Sequence, residues 1–308
     1  MLKRKLPLYN KTMFSDTHFH FKMLVQERGA DGIEVLTKMA EHNCFFGLDI
    51  GTKPDDLLER ESFVDSLIAQ IKDPLIADKV RSFMYFSAGL WPEVEFIHNR
   101  EECVAKLEQS IQLAAGEPDR ETLNRKIIAI GECGIDHHWN PSGADGRSEE
   151  DFDQKTYEGE REMFEMQLEL AKKLNLPVIV HSRDGFEDTY DCLKNVGYHN
   201  GIIHCYSYGI EEARKFLDLG WYIAFGGGVT YTKKSKLDEM NALLNFVPSD
   251  RFLCETDAPY LAPVPFRGTV NTPVLVEYTY NYIAASRKIT PEQLSAQVDE
   301  NIKMLFKI

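Results

Sequence analysis

Five segments of the chain place histidines or carboxylates directly after short apolar runs. Asp16, His18 and His20 follow Met13-Phe14; Glu132 and Asp136 lie in IIAIGECGID; His181 and Arg183 end PVIVHSRD; His204 follows GII; Glu255 and Asp257 lie in LCETDAP. Imidazoles suit Zn, Fe, Ni and similar divalent cations, and carboxylates suit Mg and Mn as well. His18 and His20 are two apart, so in an extended segment both rings face one way and can bind one cation. A carboxylate can bridge two cations with its two oxygens, and Glu132 and Asp257 are the candidates. Two cations about 4 Å apart stabilise the attacking and the leaving oxygen of a hydrolysis. One His-x-His pair arises readily by chance, and a lone His181 or His204 is as readily a hydrogen-bonded core residue. Five such segments in one chain favour a metal centre.

These residues need elements that bring them together. Short apolar or β-branched runs predict strands at Thr12–Asp16, Cys44–Leu48, Ser82–Ser87, Lys126–Ile130, Pro177–Val180, Gly201–His204, Trp221–Phe225 and Arg251–Cys254. Runs such as IIAI and VIVH have the near-continuous apolar character of strands buried on both faces. Amphipathic stretches alternate with them at Ile33–His42, Glu95–Ala115, Gly159–Asn175, Glu187–Asn195, Glu211–Leu219 and Lys236–Phe246, and Asn271–Arg287 and Pro291–Phe306 follow the last strand. Alternation over eight units predicts an α/β fold, a closed (β/α)8 TIM barrel of one domain over residues 1–308. An open doubly wound sheet is the competitor, but no GxGxxG follows the first strand. In a barrel the carboxyl ends of the strands form the functional face, which would gather all five segments on one rim. Gly226-Gly227-Gly228 reads as a turn. Residues 139–153, WNPSGADGRSEEDFD, read as an acidic loop after strand four.

The net charge of -14 argues against a non-specific nucleic-acid coat. It leaves room for a local cationic site made by bound metal. Six scattered cysteines without CxxC spacing suggest reduced thiols. The basic N-terminal stretch lacks an apolar core, and no run approaches the ~20 apolar residues of a membrane span. A cytoplasmic protein without membrane contact or an obligate protein partner is expected.

The segments SDTHFH, IAIGECGIDHHW, LPVIVHSRD, GIIHCYS, LCETDAPYLAP and RGTVNTP occur in an order that resembles the TatD-like metal-dependent deoxyribonucleases, a branch of the amidohydrolase-like barrels. The resemblance runs from about residue 13 to the end. It implies a barrel with a binuclear metal site at the C-terminal face of the strands. His18, His20, Glu132 and Asp257 would hold one ion, and Glu132, His181 and His204 the other, with Glu132 bridging. The ions would be Zn, Mn, Mg or Fe. The implied activity is hydrolysis of DNA phosphodiesters, often stepwise from a 3′ end, and the expected substrate is single-stranded or end-bearing DNA. The residues themselves suggest that a metal-activated water attacks phosphorus, with Asp257 orienting it and accepting its proton.

Arg183, Arg267 and Asn271 are candidates to contact the substrate; an ion pair with Asp184 or Asp188 is the alternative for Arg183, and turn stabilisation for the other two. Asp136 and Glu255 are candidates to fix the ligand histidines. The chain departs from the family pattern at Trp91, where a histidine is usual, at His137-His138-Trp139, and at Thr272. None of these is a ligand. The same residues fit two other functions: hydrolysis of an amide, ester or lactone, as in other branches of the superfamily, or a metal-binding barrel without activity. A lysine bridge would favour the former branch, and Glu132 stands where that lysine would be.

Overall fold

The computed structural model describes residues 14–116, 127–138 and 153–308. The basic N-terminal stretch and all but Asp153 of the expected acidic loop lie outside these residues. Eight parallel strands pair in sequence order. They are β1 (Asp16–Phe19), β2 (Gly47–Asp49), β3 (Met84–Ala88), β4 (Ile127–Asp136), β5 (Val178–Arg183), β6 (Gly201–Ile203), β7 (Tyr222–Phe225) and β8 (Phe252–Cys254). The sheet closes on itself. Phe19 bridges Ala258 in parallel. The His20 N–H donates to the Ala258 carbonyl at 2.7 Å, and the Asp257 N–H donates to the His18 carbonyl at 2.9 Å. The architecture is the (β/α)8 TIM barrel.

Three strands differ from the sequence reading in a way that matters for the site. β1 begins at Asp16, where the sequence reading ends it, so His18 is inside the strand. β4 runs on from Ile130 to Asp136, and β5 from Val180 to Arg183, so Glu132, Asp136 and His181 are strand residues. An apolar run marks only the part of a strand that faces core on both sides, and it breaks where the strand presents polar groups to the mouth. The register shifts within β1 and between Ile130 and Cys133 of β4. Such irregularities re-aim side chains, and here they lie beside His18 and Glu132. The glycines of GECG make the second one possible. Gly131 and Gly134 have φ of 133° and 150°, and a β-carbon on either would run into the backbone of β5.

Helices cover the outside of the barrel. The sequence reading missed those at Phe21–Gln26, Leu57–Ile68 and Pro74–Phe83, and it joined Val94–His98 to Arg100–Ala115. The long Gln154–Leu174 helix starts at Asp153, whose carboxylate accepts the Thr156 N–H at 2.8 Å. Residues 271–275 precede the Val276–Arg287 helix as a loop and a single 3-10 turn. Among the described residues no helix is long and apolar enough to cross a membrane.

The last helix, Pro291–Phe306, brings Asp299 beneath β1, where its Oδ1 accepts the Ser15 hydroxyl at 2.5 Å. Burial pushes the Asp299 carboxyl up to about 6, against the Ser15 hydrogen bond and Lys303. A carboxyl raised in the folded state keeps its proton after the unfolded chain has released its own, so stability falls as pH rises from about 4 to about 6. Asp299→Asn is expected to be more stable than wild type by up to ~2 kcal/mol at pH 7. It should show no gain at pH 4. Urea unfolding of both proteins at the two pH values measures the difference, and an equal effect at both would refute it.

Candidate metal centre

At the carboxyl end of the barrel, β1 and the residue after it, β4, and the loop after β8 bring four candidate ligand atoms together. His18 Nε2 lies 3.4 Å from His20 Nε2 and 3.4 Å from Glu132 Oε2. His20 Nε2 lies 3.5 Å from that oxygen, and Asp257 Oδ1 stands 3.7 and 3.6 Å from the two imidazole nitrogens. A tetrahedron with arms of ~2.1 Å has edges of about 3.4 Å. His18, His20 and Glu132 therefore fit the shell of one divalent cation, and Asp257 Oδ1 faces both imidazoles of that set.

A second set shares Glu132. Its other oxygen, Oε1, lies 2.8 Å from His181 Nδ1 and 2.9 Å from His204 Nε2, and these nitrogens are 3.2 Å apart. Cis ligands at arms of ~2.1 Å are about 3.0 Å apart. His18, His20 and Glu132 lie close enough together to hold a metal ion, and so do Glu132, His181 and His204. A carboxylate stands behind each ring of this second set. His181 Nε2 is 3.0 Å from Asp136 Oδ2; if that nitrogen carries the proton, Nδ1 presents a lone pair. Glu255 Oε1 accepts the Cys205 N–H at 2.6 Å and faces His204 Nδ1 at 3.4 Å. Asp257 and Cys205 hold φ of 56° and 44°, left-handed conformations maintained by the closed loops around them.

Burial disfavours charge on all these groups, and their mutual attraction outweighs it in most. Asp257 and Glu132 lift His20 above the ordinary imidazole range, and the carboxylates around His181 and His204 lift both, His181 to about 9. His18 goes down, through burial and the neighbouring His204. The imidazoles in turn hold Glu132 well below the carboxylate range and lower Asp257. Low-pKa carboxylates beside these imidazoles suit a cation, whose uptake would release protons from the rings.

The other candidates divide. Asp16 is fully buried and ties β1 to the loop after β8, accepting the N–H groups of His18 and Thr256 and the Thr256 hydroxyl. Arg183 is exposed and has no ion pair among the described residues, since Asp184 pairs with His138 and Asp188 with Arg161. Arg267 is exposed and stacks on Tyr231, 4.5 Å from the ring centroid. Asn271 corrects the sequence reading. It is fully buried, and its amide donates to the carbonyls of Thr256 and Tyr260 at 2.9 and 2.6 Å. It staples the loop that carries Asp257 and offers nothing to a substrate. Trp91 stands edge-on to His181 with centroids 5.9 Å apart, and His137 pairs with Glu160 outside both sets.

Sequence reasoning missed a buried network beneath the centre. Arg60 pairs with Asp49 at 2.9 Å and Asp56 at 3.0 Å and donates to the Ser87 carbonyl. Asp49 accepts the N–H of Phe21, next to His20, at 2.8 Å. The Ser87 hydroxyl donates to the carbonyl of Gly131, next to Glu132, at 2.5 Å. The only sequence signal is charge at core positions of a helix. A groove of about 770 Å³ on the outer ring holds none of the ligands. Its lining includes Glu101, Glu108, Glu162, Glu165 and Glu169, an acidic surface that would repel a polyanion.

A parallel barrel with imidazoles and carboxylates converging at the ends of its strands has the build of a metal-dependent hydrolase. The chain belongs to the TatD related DNase family, whose model matches residues 15–307. It is 37% identical over 228 residues to the uncharacterized metal-dependent hydrolase YabD of Bacillus subtilis (strain 168), covering 73% of this chain and 78% of that one. It is 28% identical over 242 residues to the 3′-5′ ssDNA/RNA exonuclease TatD of Pantoea vagans (strain C9-1), covering 76% of this chain and 82% of that one. The fold matches the crystal structure of YjjV, a TatD homolog from Escherichia coli K12, with a TM-score of 0.73 at 23% identity over 97% of this chain and 100% of that one.

Proposed function

We propose that this chain is a cytoplasmic deoxyribonuclease that hydrolyses phosphodiesters of single-stranded DNA stepwise from a 3′ end, at a centre of two divalent cations. The observation that carries the reading is Glu132, whose two oxygens face two separate sets of ligands. The activity named for the Pantoea vagans relative supports the choice of bond. Six free thiols suit a reducing compartment.

Bound there, two divalent cations would supply Lewis-acid charge and lower the pKa of a water. Against the charges of Glu132 and Asp257 they leave about +2, a local reason for an acidic protein to accept a phosphodiester. The chain's own residues do the rest. Glu132 sets the spacing of the two sites. Asp136 and Glu255 hold His181 and His204 in place. Asp257, whose side chain is 15% exposed at the mouth, orients the attacking water and takes its proton. Arg183, exposed at the end of β5, would hold a non-bridging phosphoryl oxygen with its planar fork.

The test joins elemental analysis of the purified protein to digestion of an end-labelled oligonucleotide, with small lactones and aminoacyl esters as competing substrates. Asp257→Asn is expected to retain at least the His181/His204 metal and to lose about 10²–10⁴ in rate. A folded Asp257→Asn protein with undiminished metal-dependent hydrolysis would remove Asp257 from the mechanism. Turnover of lactone or ester without cleavage of DNA would overturn the choice of bond.

A further inference from the structure

Tyr260 follows Asp257 by three residues in the loop after β8 and is 41% exposed. Its ring stands edge-on to the ligand His20, with centroids 6.4 Å apart and planes at 73°. The residue is fixed on three sides. Its N–H donates to the Asp257 carbonyl at 2.8 Å. Its own carbonyl accepts from the buried Asn271 amide at 2.6 Å, and its hydroxyl meets the sulfur of Met23 at 3.1 Å. The exposed Arg28 lies over the ring, its guanidinium carbon 5.7 Å from the centroid. Leu261 and Val264 extend the apolar lip, 38% and 50% exposed.

An aromatic face held rigidly beside a cluster of ligand imidazoles, with a guanidinium against it, suits one kind of substrate. Single-stranded nucleic acids bind through aromatic rings that stack on successive bases and through cations that follow the backbone. A group bound for its acyl or lactone bond alone would need neither. We propose that Tyr260 is the stacking platform for a nucleobase flanking the scissile phosphate. The base displaces Arg28 from the ring and leaves its guanidinium beside the next phosphate. The proposal rests on the nuclease reading and adds to it how the strand is held. It requires the base to be unpaired and unstacked, so the platform selects single strands and frayed ends over intact duplex.

The experiment uses metal-loaded protein and end-labelled single strands that are intact or carry an abasic residue at one of the two nucleotides flanking the scissile bond. Wild type is expected to lose at least about fivefold in kcat/KM at one abasic position, equivalent to ~1 kcal/mol of stacking. Tyr260→Leu should lose the same factor on the intact strand and nothing more on the abasic one, at unchanged metal content. Tyr260→Phe keeps the ring and should behave as wild type. Equal losses by Tyr260→Leu on both strands would mean that the ring only braces the loop, and the platform would be wrong. Wild-type cleavage that is indifferent to abasic residues would also overturn it while leaving the nuclease reading intact, and this arm needs no variant. Wild-type failure to cleave any strand would overturn both.

Discussion

Glu132→Gln is expected to leave the barrel folded, to cut the bound metal by half, and to lower hydrolysis on the order of 10³-fold or more. Each Glu132 oxygen serves a different set. Oε2 faces His18 and His20, and Oε1 faces His181 and His204. Glutamine has nearly the same shape, but one of its two positions becomes an NH₂ group, which repels a cation. One set keeps an oxygen and the other is spoiled. Glu132→Ala removes both and is expected to reduce metal content further. Elemental analysis after gel filtration, with circular dichroism to establish folding, measures both outcomes. A full complement of metal in the folded glutamine variant would exclude Glu132 as the bridge.

Arg60→Met is expected to destabilise the fold by about 3–5 kcal/mol, the usual cost of leaving a buried charge without its partner. Asp49 is fully buried and Arg60 nearly so. The methionine would strand Asp49 and withdraw donors from the carbonyls of Asp49 and Ser87. Asp49 also holds the backbone beside His20, and Ser87 the backbone beside Glu132, so weaker metal retention should accompany the loss of stability. The double variant Arg60→Met/Asp49→Asn removes the stranded charge and should recover part of the loss. Urea unfolding of the three proteins measures these differences. An unchanged midpoint for Arg60→Met would show that the pair contributes nothing net.

Arg60 also shows why part of this fold was hard to read. The Leu57–Ile68 helix buries Leu57, Arg60, Glu61, Val64 and Ile68. Two of these five are charged, so the buried stripe has no apolar period to detect. The Gln154–Leu174 helix also buries polar groups, but Met163, Phe164, Leu168, Leu170 and Ala171 leave a helical apolar stripe that was visible from its sequence, though its first turn was not. Strand ends were misplaced for a related reason. Apolarity falls where β4 and β5 begin to present Glu132, Asp136 and His181 to the mouth, although the backbone continues extended.

The proposed ligands were named from sequence alone. Imidazoles and carboxylates stand out after buried apolar strands, and a parallel barrel brings every strand's carboxyl end to one face whatever the helices between them do. That reasoning needs the order of the strands and no distances. What distances decide was settled only in three dimensions. Which Glu132 oxygen meets which imidazoles depends on the glycine-borne irregularity of β4. Asn271 was a plausible substrate contact until the closed loop after β8 buried it against the carbonyls of Thr256 and Tyr260. Arg60 found its partners, and Tyr260 its exposed place beside His20, through contacts among separate elements that no local pattern encodes.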